Sequence, residues 1–200
     1  MKHIGAFSID NLWRIFLTLA IWFISSEGYA SSMRRLGVEE LTNLSSNIII
    51  GRVTNISSYW SFGHSTIHTD VTIELMTVLK GKIADNSIIL ELLGGTVDGI
   101  TTAVVGGPSF RVGEEVLLFL GSARSVMYQA ERIRFYLVGL SQGKFNLKST
   151  GGKDQRLALS EASQHSLLPD KDGKTMLPGG TGGLLLQELL RQIKQATPES

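Results

Sequence analysis

The sequence predicts a mainly β fold, a small Greek-key barrel with a short helix before it and a second helix after it. Residues 67–81 (IHTDVTIELMTVLKG) put β-branched and apolar residues at every second position and end on a Lys-Gly turn. Residues 110–120 (FRVGEEVLLFL) set a charged turn before an almost wholly apolar strand. Five or six such segments, irregularly spaced around a long glycine-rich interval, suit a barrel better than a sandwich.

At the N-terminus, Lys2 and Arg14 precede an uncharged apolar run over 15–24, and the polar SSEGYA follows. A membrane span needs about 20 apolar residues, so a run of about ten is expected to be the core of a signal peptide covering 1–30. Gly28 and Ala30 supply the small residues a signal peptidase requires, which places cleavage between Ala30 and Ser31. The alternatives are an uncleaved anchor or a buried core helix. With no cysteine in the chain, a lipid anchor on cysteine is excluded. The expected address is periplasmic or secreted, with no stable membrane anchor after cleavage.

Cleavage would remove two cations and two anions and leave the formal charge at +1. That near-neutral balance argues against a nucleic-acid partner, which normally demands a basic excess. Without disulfides, stability must come from packing.

The domain expected over 31–148 opens with an amphipathic helix within 33–44, its stripe formed by Leu36, Val38, Leu41 and Leu44. A strand over 47–57 follows, with Gly51 at a bulge or bend, and 59–65 reads as a loop. The strand from Thr66 puts Ile67, Thr69, Val71, Ile73 and Leu75 on a buried face and His68, Asp70 and Glu74 on a wet one. A third strand spans 87–93. The interval 94–108 is a long glycine-rich loop with a short strand near 100–105, and loops of that length are often functional. A strand over 115–120 and a hairpin of 134–140 with 144–148 complete the domain. Residues 149–183 read as a polar Gly/Pro-containing linker or hairpin. In the 184–200 segment Leu186, Leu189, Leu190 and Ile193 form the stripe of a closing helix, followed by a short tail.

Several motifs fail on inspection. Gly139 to Phe145 (GLSQGKF) is one residue short of a phosphate loop, has Phe where Ser or Thr must reach magnesium, and lies between strands. His64 and His68 would stand about 13 Å apart along a strand, too far to share a metal. Asp170 and Asp172 begin a calcium-loop pattern that lacks its later acidic ligands. No metal site, cofactor or catalytic residue is therefore assigned, and no nucleophile elbow or zinc-protease motif is present.

The candidate binding surface combines Tyr59, Trp60 and Phe62 with Gly94, Gly95, Asp98 and Phe110. Aromatics give contact area at low entropy cost, and with flexible glycines they suit recognition of a peptide, a glycan or a protein partner. The competing reading makes the aromatics a plug at one end of the barrel.

The succession NIIIGRV, TDVTIELMTVLKG, IILELLGG and FRVGEEVLLFL, followed by VGLSQGKF, resembles uncharacterised exported bacterial proteins with a netrin-like OB-fold domain. The tissue inhibitors of metalloproteinases share that domain, and the similarity covers roughly 48–147. It implies an OB-like barrel and a peptidase or other exported protein as partner. Those inhibitors chelate the catalytic zinc through an N-terminal cysteine, whereas Ser31 is expected to begin this mature chain. The expected function is thus an exported, non-enzymatic binding module. The alternatives are a hydrolase with a dispersed site near the glycine-rich loop and a structural envelope protein.

Overall fold

A computed structural model describes residues 34–122, 124–125, 133–149, 156–161 and 183–197. The expected leader, with Ala30 and Ser31, and most of the 149–183 segment lie outside these residues. Two helices, α1 (Val38–Leu44) and α2 (Leu186–Ala196), flank a fold that is mainly β. Its strands are β1 (Asn47–Trp60), β2 (Ile67–Lys80), β3 (Ser87–Leu93), β4 (Gly95–Val97), β5 (Ile100–Thr102), β6 (Glu115–Leu120), β7 (Arg124–Ser125), β8 (Ile133–Phe135), β9 (Lys144–Ser149), β10 (Arg156–Ser160) and β11 (Gly183–Leu185). Among the described residues no helix is long and apolar enough to cross a membrane.

Nine strands form one sheet in the order β11-β10-β9-β6-β1-β2-β3-β8-β7, and β4 pairs with β5 as a separate ribbon. The sheet is not closed, which corrects the barrel expected from the sequence. The reason lies at β6. Its residues Val116 to Leu118 pair with Lys144 to Asn146 of β9, so the sheet runs on through β10 and β11. Only its last residue, Leu120, bridges Leu137 beyond β8. Hydrogen bonds from Gly121 N–H to the Tyr136 carbonyl (3.0 Å) and from Val138 N–H to the Phe119 carbonyl (2.9 Å) flank that bridge.

The apolar runs Ile48–Ile50 of β1 and Val116–Leu120 of β6 are uninterrupted because both of their faces are buried. Along β1, Ile48 and Ile50 join Leu117, Phe119, Phe145 and Leu147 under the two helices, where Leu41, Leu189 and Ile193 complete the core. The intervening Ile49 and Val53 join Val71, Ile73, Leu90, Val116 and Leu118 on the opposite side. Period-two geometry thus sends one apolar run into two cores. At Gly51 the register of β1 against β2 shifts, and an added Cβ would stand 2.6 Å from the Glu74 carbonyl oxygen. The bend expected there depends on the missing side chain.

Strand β2 buries Ile67, Thr69, Val71 and Ile73 as its alternation predicts, with Leu75 half-buried. In α2, Leu186, Leu189 and Ile193 are buried and Leu190 is half-buried. Other expectations need correction. Helix α1 is shorter than 33–44 and leaves Leu44 exposed. Tyr59 and Trp60 extend β1 rather than starting a loop. The hairpin expected between 134–140 and 144–148 does not form: β8 pairs in parallel with β3, and β9 pairs with β6 and β10. Leu140–Gly143 is instead a turn of 3-10 helix. Of the segment expected as linker or hairpin, the described residues form β10, antiparallel to β9 and β11, and the start of β11.

Candidate functional site

The glycine-rich interval is ordered by one tight hairpin and two anchors. Asp98 and Gly99 both have positive φ (51° and 78°), the conformation of a two-residue turn joining β4 to β5. Trp60 Nε1 donates to Asp98 Oδ2 at 3.3 Å, tying the end of β1 to this turn. At the base of the interval Gly94 has φ 92° and donates to the Ile67 carbonyl at 2.8 Å, while Thr69 Oγ1 donates to the Gly94 carbonyl at 2.6 Å. A side chain on Gly95 would collide with the Thr69 and Ser58 hydroxyls. The Gly94-Gly95 pair therefore lets the chain leave β3 and cross directly over β2.

Beneath the interval lies a cleft of about 430 Å³, its apolar wall built from Leu92, Leu93, Val104, Phe110, Tyr136 and Leu140. Gly94 and Gly95 line it too, and Glu91 and Thr69 supply polar groups. Leu93 is 64% exposed and Val105, beside the cleft-lining Val104, is 94% exposed. Strand β5 is exposed throughout and pairs only with β4 among the described strands.

Of the residues expected to form the site, Gly94, Gly95 and Phe110 meet in this cleft, and the others do not. Asp98 and Trp60 sit together at the hairpin turn, where Trp60 also stacks on His64 at 5.8 Å. Phe62 is 85% exposed in the β1–β2 turn, so the three aromatics are not a common plug. Tyr59 belongs to a polar cluster on the sheet. Its hydroxyl is 3.1 Å from Asp70 Oδ1 and 3.0 Å from Glu91 Oε1. Burial first, then the Asp70 charge, pushes the phenol far above its ordinary pKa, so it stays a hydrogen-bond donor.

Arg134 is buried beside that phenol and donates to both oxygens of Asp70, with Nη2 to Oδ2 at 2.9 Å, which raises its own pKa further. His68 stacks on Tyr59 and places Nδ1 3.3 Å from Glu91 Oε1 and Nε2 3.1 Å from Thr66 Oγ1. On the wet face of β2, Asp70 pairs with Arg134, whereas His68 lies beside Glu91 and its Nδ1 has no hydrogen-bond partner among the described residues. Thr66 Oγ1 stands 3.1 Å from His68 Nε2 but donates its own proton to Ser61 Oγ at 2.8 Å.

The cleft residues Leu92, Leu93 and Val104 were legible only as apolar residues standing next to glycines. Tyr136 and Arg134 carried no local signal, because the parallel register of Ile89 with Arg134 brings them in from a remote segment. The chain matches no protein-family profile and no curated protein.

Proposed function

We propose that the chain is an exported, non-enzymatic binding module whose cleft beneath the glycine-rich interval seats an apolar side chain of another exported protein, such as a peptidase. The observation that carries this reading is the apolar cleft with an apolar rim left in water, Leu93 above all. Exposed apolar surface next to a concavity gains free energy when covered, by roughly 25 cal/mol per Å². The edge of β5, which pairs only with β4 among the described strands, favours an extended peptide, since such an edge can accept another strand while Thr102 and Val104 line the cleft.

Export rests on the charged, apolar and small-residue pattern of 1–30. For the architecture we favour an OB-like arrangement. It is supported by the succession β1-β2-β3-β8, the parallel β3–β8 pair, and the Leu120–Leu137 bridge back toward β6. A hydrolase is the second reading, favoured only by the proximity of Thr66, His68 and Glu91.

The test is capture of envelope proteins by the immobilised mature chain. Leu93→Asp adds a charge at an exposed position of the rim and is expected to weaken capture about tenfold or more without loss of folding. Val112→Asp, also at an exposed position, is expected to change nothing. Equal capture by the Leu93→Asp chain would overturn the reading.

A further inference from the structure

The segment from Pro108 to Arg111 is a wall with a different cleft on each side. Pro108 and Phe110 face the apolar cleft, whereas Ser109 and Arg111 line a polar groove of about 710 Å³ with Asn146, Lys148 and Arg156. Three carboxylates also border this groove, but each already faces a cation. Lys144 Nζ lies 3.0 Å from Glu114 Oε1 and 3.1 Å from Glu161 Oε2. Glu115 takes Arg52 at 2.6 Å and Arg156 on its other oxygen, and this pairing, led by Arg52, holds its carboxyl below the usual range.

Arg111 and Lys148 are left over. Both are exposed, and neither side chain has an ion pair or hydrogen bond among the described residues.

From this arrangement we propose that the groove binds an acidic peptide segment, with carboxylates on Arg111 and Lys148. A guanidinium takes a carboxylate through two parallel N–H donors, and Lys148, lining the same groove, supplies a second charge on a flexible stem. Glu114, Glu115 and Glu161 along the border argue for a peptide over a nucleic acid. They repel a continuous run of phosphates, while a peptide can space its carboxylates to miss them. The proposal does not depend on what fills the apolar cleft.

The experiment is titration of the mature chain with a fluorescent oligoglutamate peptide at low ionic strength. Binding is expected, and it is expected to weaken as salt is added because the paired groups are exposed. The Arg111→Ser/Lys148→Ser double variant is expected to bind about tenfold or more weakly. Lys82→Ser, at an exposed position outside the groove, is expected to bind as the parent does. No binding by the parent chain, or equal binding by the double variant, would overturn the proposal. Tighter binding of a single-stranded oligonucleotide than of oligoglutamate would overturn the choice of a peptide.

Discussion

Exchanging Lys144 for methionine is expected to lower stability by about 3–5 kcal/mol, the cost of leaving the buried Glu161 carboxylate without its cation. The lysine is 1% exposed and Glu161 5% exposed, so water replaces little of the lost role there, whereas Glu114 stays partly open to the polar groove. Its ammonium also bonds the Ser109 carbonyl and lies 4.2 Å from the centre of the Phe110 ring. Glu161 in turn accepts from the Ser109 N–H at 2.8 Å and from the Ser109 hydroxyl at 2.5 Å. One side chain therefore pins the wall between the two clefts to β9 and to the residue that follows β10. Urea unfolding measures the loss. Neutralising the acids as well, in Lys144→Met/Glu114→Gln/Glu161→Gln, is expected to restore much of it, because the unpaired charges carry the penalty. A loss below about 1 kcal/mol for Lys144→Met would mean that water reaches the site.

Phe119→Ala is expected to cost about 3–5 kcal/mol, the range for deleting a buried aromatic side chain. Phe119 is 0% exposed and packs at 5.9 Å and 55° against Phe145, in the core that β6 shares with both helices. The cavity would open where α1, α2 and the sheet meet, so neighbours anchored on three elements have little freedom to collapse into it. Far-UV circular dichroism during urea unfolding reads the effect. Phe62→Ala, at 85% exposure, serves as the comparison and is expected to stay within about 0.5 kcal/mol.

The parts of this fold that were legible in the sequence are those whose environment is set along a single element. Alternation in β2 reports one buried face, and the stripe of α2 reports one packed side. The apolar run of β6 reports burial but not its cause, which is two cores meeting on one strand. Partner choice was not legible. Residues 144–148 have the pattern of a strand, but nothing local says that β9 pairs with β6 and β10 rather than with its sequence neighbour β8. That exchange is what keeps the sheet open.

The site follows the same division. Gly94, Gly95 and Phe110 were found because they bound a long glycine-rich interval, and intervals of that length are often functional. The Asp98-Gly99 turn was readable in principle from its dipeptide, and it accounts for the short strand near 100–105. Lys144 reads in sequence like any surface lysine, because its carboxylates come from positions 114 and 161. Aromatic residues close together in sequence, Tyr59, Trp60 and Phe62, were dispersed by strand geometry, which turns neighbours to opposite faces.

The most direct test of the recognition cleft is site-specific photocrosslinking in cells that produce the chain, with a benzophenone amino acid placed at Leu93 or, as a control, at Lys82. The account predicts a discrete adduct with an exported protein from position 93 and none from position 82. No adduct at 93, or the same adducts from both positions, would contradict it.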